Sequence, residues 1–251
     1  MNYACRLSQI IDMGIQPIYV KEPEPGREAP GVGWVRRIWE DSLMENERDA
    51  VHRLIEAERA RGAQLARTQV RMGERDNEIL TNLLSGSYEL FVEGCVTNFE
   101  HSDLLQRLQS KLYRSLPCPV IIARNLMAFN KLLVVFDEGV NQRKLFGALV
   151  KLFKGSQLHF DLMYCKFSGG QNTLTPLEPT TAMFAEANQI LEEQGWTAEK
   201  QIALEGPPQL LVQQIENYSL VATGLPHHSN GQDALVELLG ATSSPILLCW
   251  Q

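Results

Sequence analysis

At 251 residues, 44% of them hydrophobic and 21% charged, the chain has the composition of a globular protein and the length of one large domain or two ordinary ones. A net charge of −7 and a pI near 5.3 speak against nucleic acid or an anionic membrane as main partner, because phosphate neutralisation needs clustered Lys and Arg. No run approaches the roughly 18 apolar residues of a membrane span, and Arg6, Gln9 and Asp12 interrupt any leader-like core, so a soluble, cytoplasmic protein is expected.

In chain order, Ala4, Leu7, Ile10 and Ile11 predict a helix over 3–13, closed by Gly14. A short strand at 15–20 leads into a Pro/Gly loop at 21–33. Val35, Ile38, Trp39, Leu43, Val51, Leu54 and Ile55 then mark a long amphipathic helix over 34–61. The Arg-rich stretch 48–75 alternates with acids, as a solvated helix face does. A strand at 65–71 and a helix at 76–84, with Asp76 as cap, precede a strand at 88–93. A helix at 102–115 and a strand at 119–123 close the first half.

The second half reads strand 131–136, helix 141–153, strand 158–165, polar loop 166–177, helix 180–194 and strand 199–204. Helix 208–216, strand 218–224, helix 231–240 and strand 245–250 follow. Gly155, Gly195 and Gly240 sit where helices should stop.

One stretch occurs twice: Y-E-L-F-V-E-G at Tyr88–Gly94 and Y-S-L-V-A-T-G at Tyr218–Gly224, 130 residues apart. Each copy is followed by a helical segment and a second apolar strand, C-P-V-I-I-A at Cys118–Ala123 and S-P-I-L-L-C at Ser244–Cys249. Such self-similarity predicts a duplication. Alternating strands and helices predict an α/β fold with a parallel sheet covered on both faces. The expected architecture is two tandem doubly wound modules, 1–125 and 126–251, the first lacking its opening strand.

The chemistry-bearing residues are sparse. Cys5, Cys95, Cys118, Cys165 and Cys249 are an odd, scattered set without C-x-x-C, which fits reduced, buried thiols. His52, His101 and His159 are isolated, so no zinc site is expected. Gly31-Val32-Gly33 follows prolines rather than a strand and is no dinucleotide fingerprint. No phosphate-loop or nucleophile-elbow motif occurs, and no acid/base pair or nucleophile converges in sequence, so catalytic residues and an enzymatic role are not expected.

The second half resembles a universal stress protein domain through K-L-L-V-V-F-D-E-G-V-N-Q-R-K-L at 131–145, Y-S-L-V-A-T-G and S-P-I-L-L-C. The first half resembles the same domain through Y-E-L-F-V-E-G and L-Y-R-S-L-P-C-P-V-I-I-A at 112–123. The resemblance implies two adenine nucleotide alpha hydrolase-like modules that pair within the chain through their last strands. It leaves a homodimer open. It places Asp137, at the end of a first strand, near an adenosine. A helix N-terminal acid is the alternative reading of that residue.

Nucleotide-binding members of that family carry Gly-x2-Gly-x9-Gly-(Ser/Thr) after the fourth strand. There, glycine backbone N–H groups approach phosphate oxygens. In this chain the pattern is degraded twice. Thr97 stands three places after Gly94, and His227 three places after Gly224. Gly94 lies 25 residues before Pro119, whereas Gly224 lies 21 before Pro245. The second loop is thus shorter by about four residues. Gly224, His227, His228 and Gly231 are the remaining candidates for a ligand there, with exposed loop histidines as the plainer reading of the pair. The expected protein is a non-enzymatic stress-response regulator or scaffold with no cofactor bound through the family motif. An adenine-nucleotide-binding protein using the second module, with ATP or a relative as ligand, is the alternative. A small enzyme of the same superfamily using Asp137 and the histidines is the third reading.

Overall fold

The computed structural model describes residues 1–22, 49, 51–53, 55–59, 64–94, 101–125, 131–156, 158–168, 173–227 and 233–251. The fold divides into two compact units, Met1–Ser87 and Tyr88–Gln251.

In the first unit, α1 (Asn2–Leu7) buries Tyr3, Ala4, Cys5 and Leu7. It is shorter than the apolar pattern predicts. The Ser8 hydroxyl donates to the Cys5 carbonyl at 2.8 Å and closes the helix before Gly14. Strand β1 (Ile18–Lys21) pairs in parallel with β2 (Gln69–Met72), Ile18 opposite Gln69. Helix α2 is described at 49, 51–53 and 55–59, and the start of the predicted 34–61 helix lies outside the described residues. Helix α3 (Arg75–Ser85) buries Ile79, Leu80 and Leu83, and Glu74 rather than Asp76 holds the N-cap position. No strand precedes β1 in residues 1–22.

The second unit holds β3 (Phe91–Gly94), α4 (His101–Gln109), α5 (Lys111–Arg114) and β4 (Val120–Ala123). It continues through β5 (Lys131–Phe136), α6 (Gln142–Leu152), β6 (His159–Phe167) and β7 (Thr175–Pro176). It closes with α7 (Thr181–Glu193), β8 (Ala198–Gly206), α8 (Pro208–Ile215), β9 (Leu220–Leu225), α9 (Ala234–Ala241) and β10 (Ile246–Trp250). The single helix expected over 102–115 is broken at Ser110, whose Oγ accepts from Tyr113 N and caps α5. Gly240 does not end the last helix: it lies inside α9, and Thr242 is the C-cap. Gly155 and Gly195 do follow helices, with φ of 78° and 72° that a side chain would resist.

Among the described residues, eight strands form one sheet in the order β3-β4-β10-β9-β5-β6-β8-β7. The run β8-β6-β5-β9-β10 is parallel throughout and has the first strand of the second half at its centre. Leu132 to Phe136 are fully buried there, as expected for a β-branched, apolar strand covered on both faces. Helix α6 packs on α7, and α8 on α9, which also meets α4. Short β7, inside the stretch read as a polar loop, lies antiparallel to β8 at the edge.

The other end carries β4, antiparallel to β10, with β3 parallel to β4 beyond it. The last strands of the two halves are therefore neighbours. β5 bonds to β6 on one side and β9 on the other. Among the described residues, β1–β2 is one sheet and β3–β4 belongs to the larger one, so the first half of the sequence contributes ladders to both sheets.

Candidate functional site

In a doubly wound sheet, ligands sit beyond the C-terminal strand ends where the strand order reverses. Here that point lies between β5 and β9. Asp137 follows β5 directly. Its Oδ1 accepts from Gly139 N at 2.8 Å, and Gly139 is followed by Val140, whose N–H donates to the Asp137 carbonyl. The carboxylate thus shapes the turn. It does not cap α6: Asn141 does, its Oδ1 accepting from Lys144 N at 3.0 Å. Burial pushes the Asp137 carboxyl above its ordinary range, and the nearby Asp233 charge pushes it further. Asp233 caps α9, accepting from Leu235 N at 3.0 Å.

Gly224 is buried on β9. A Cβ at that position would collide with Gln251 Nε2 and stand 3.2 Å from Val140 Cγ1. Gln251 follows β10. Its backbone N–H donates to the Leu225 carbonyl at 3.1 Å, and its Oε1 accepts from Asn141 N, also at 3.1 Å. What comes close to the glycine at 224 is thus the chain's own carboxamide. Sequence reasoning missed Gln251. The register Cys249 opposite Gly224 and Trp250 opposite Leu225 is what brings it there.

His227 stacks on Trp250, ring centroids 4.8 Å apart and planes 17° from parallel. Trp250 Nε1 donates to the Cys118 carbonyl at 2.8 Å, and the indole meets Tyr113 edge-on. The imidazole is thus held in an aromatic stack. Among the described residues its buried Nδ1 has no hydrogen-bond partner, nor has Thr223 Oγ1 on β9. His228 and Gly231 lie outside the described residues, as does Thr97. Glu138 accepts from Tyr164 OH at 3.1 Å, and burial, followed by that bond, pushes the phenol up to about 12.

At the corresponding end of β3, Glu93 takes the place of Thr223 in the repeated stretch. It is buried against Arg107, 2.7 Å away, and accepts from Tyr113 OH. Among the described residues, nothing lies within 4 Å of where a Cβ on Gly94 would stand.

No family model and no curated protein matches the chain by sequence. Solved structures do match it along nearly its full length. A universal stress protein from Archaeoglobus fulgidus DSM 4304 superposes with a TM-score of 0.59 at 15% identity, over 95% of this chain and 85% of that one. A candidate universal stress protein from Pseudomonas aeruginosa UCBPP-PA14 gives 0.56 at 14% identity, over 97% and 94%. The chain has the universal stress protein fold. A protein of unknown function from P. aeruginosa PAO1 shares it, with a TM-score of 0.54 at 14% identity over 94% and 92%.

Gly224 lies near the C-terminal end of β9, on the side of the sheet where doubly wound folds have their crevice. Asp137 and Asp233 lie near each other at that end, and the Gln251 carboxamide lies against Gly224. Among the described residues, no group of three or more His, Cys, Asp or Glu side chains is placed to hold a metal. Cys5, Cys118, Cys165 and Cys249 form no disulfide among the described residues and are buried. Burial pushes the Cys118 thiol up to about 11 and Cys249 to about 12, so both stay protonated at neutral pH. No helix among the described residues is long and apolar enough to cross a membrane.

Proposed function

We propose that the chain is a tandem universal stress protein that acts as a non-enzymatic, cytoplasmic stress-response regulator or scaffold and does not take ATP through the family motif. One observation carries this reading. The Gln251 carboxamide lies against Gly224, in the space where a phosphate oxygen would meet the glycine backbone. The neighbouring carboxyl groups of Asp137 and Asp233 and the shortened loop after Gly224 favour the same conclusion, since an anion there would meet like charge. The antiparallel β4–β10 ladder supports pairing of the two modules within one chain.

Thermal unfolding of the full chain with millimolar ATP–Mg, ADP, AMP and cyclic nucleotides tests the reading. Ligand stabilisation follows RT ln(1 + [L]/Kd), so a flat melting temperature across the set is the expected result. A concentration-dependent rise with any of them would overturn it.

A further inference from the structure

Gln251 lies against Gly224 and leaves a polar atom of its own unserved. Its Oε1 accepts from Asn141 N–H at 3.1 Å, while its buried Nε2 has no acceptor. Enclosing an amide N–H group without a partner is unfavourable, because its hydration is lost and not replaced. The side chain is tethered by that one bond, whereas the β9–β10 ladder continues through backbone bonds, including Gln251 N to the Leu225 carbonyl. The carboxamide can therefore swing out without opening the sheet. Its counterpart after β4, Asn125, is already turned away: Asn125 Nδ2 donates to the Ser243 carbonyl at 2.8 Å, and the space over Gly94 is open.

The geometry points to Gln251 as a displaceable gate whose carboxamide stands in for a ligand: a small uncharged molecule that presents a hydrogen-bond acceptor. The gate's withdrawal frees Asn141 N–H, which needs an acceptor, and uncovers the Gly224 backbone. A ligand with an acceptor at that point replaces the bond Gln251 makes without burying an N–H that has no partner. The neighbouring charges of Asp137 and Asp233 select against a phosphorylated form of the same ligand. The inference rests on the reading that the phosphate site is lost.

Titration calorimetry on the full chain, wild type and Gln251→Ala, with adenosine and AMP as probes, tests the gate. Adenosine carries ring-nitrogen acceptors, and AMP adds the charge. Gln251→Ala is expected to bind adenosine at least about tenfold more tightly than wild type, and AMP more weakly than adenosine. A folded Gln251→Ala protein, by circular dichroism, that binds adenosine no better than wild type overturns the gate. Equal or tighter binding of AMP overturns the charge selection. Adding Gly224→Ala to Gln251→Ala puts a methyl 3.2 Å from Val140 Cγ1 in the vacated space. It must abolish the gained binding, and binding that persists places the ligand elsewhere and overturns the proposal. Nucleotide binding by the wild type would sink the preceding reading, whereas a flat Gln251→Ala alone sinks only the gate.

Discussion

Ile121 and Leu247 stand directly opposite each other across the β4–β10 ladder, and each is the second residue after its strand's proline, Pro119 or Pro245. The flanking pairs, Ile246 with Ile122 and Leu248 with Val120, exchange first and third places. The ladder is thus locally two-fold, as isologous contacts are. The ends are clasped reciprocally too: Trp250 Nε1 donates to the Cys118 carbonyl, and Arg124 Nη1 to the Thr242 carbonyl.

Both central side chains are fully buried. Ile121→Ala and Leu247→Ala should each lower stability by about 2–5 kcal/mol in urea unfolding, through lost transfer energy and a residual cavity. Because the two sites touch, the double variant should depart from the sum of the singles by at least about 0.5 kcal/mol. Strict additivity would mean the two halves of the ladder do not share one core.

At the end of β3, a second prediction separates pairing from burial. Arg107→Leu leaves Glu93 buried without its cation, and the expected loss is about 3 kcal/mol or more. Adding Glu93→Thr, the residue of the second copy, removes the stranded charge. The double variant should therefore unfold at a higher urea concentration than Arg107→Leu alone. A double variant less stable than the single would show that the ion pair is not what Arg107 supplies.

Much of this architecture is legible in the strands themselves. K-L-L-V-V-F, Y-S-L-V-A-T-G and S-P-I-L-L-C are continuous apolar runs bounded by Gly, Pro or Asp, and their order predicts the parallel run centred on β5. What local pattern could not reveal is where side chains meet after the strands are in register. Gln251 is an unremarkable polar residue until Cys249 is set beside Gly224. Asp137 reads equally well as a helix N-terminal acid or a ligand contact, and its bond to the turn at Gly139 is a third role that local pattern does not show. The split between α4 and α5 rests on one hydroxyl, Ser110, inside an otherwise unbroken helical pattern.

Trp250 offers a third measurement. Trp250→Phe keeps an aromatic ring against His227 but removes the donor to the Cys118 carbonyl, itself buried at the start of β4. A cost of about 1–3 kcal/mol is expected from the unpaired carbonyl and the smaller ring. Hydrogen exchange at Val120 and Ile121 should accelerate with it, since the clasp closes that end of the ladder. Unchanged exchange would show the clasp to be incidental.

The last prediction concerns Asp137, whose carboxyl is raised from its ordinary 3.8 by burial and by Asp233. A group that binds its proton more tightly when folded favours the folded state while protonated. That contribution is fully present below pH 3.8 and is lost as pH rises through the folded value. Asp137→Asn removes the ionisation and keeps an oxygen that can accept from Gly139 N. The variant should therefore melt higher than wild type at pH 7, and the difference should shrink as pH falls through the folded value towards 3.8. A variant that melts lower than wild type at pH 7 would mean that the charged carboxylate is held by its Gly139 and Val140 hydrogen bonds more strongly than burial and Asp233 oppose it.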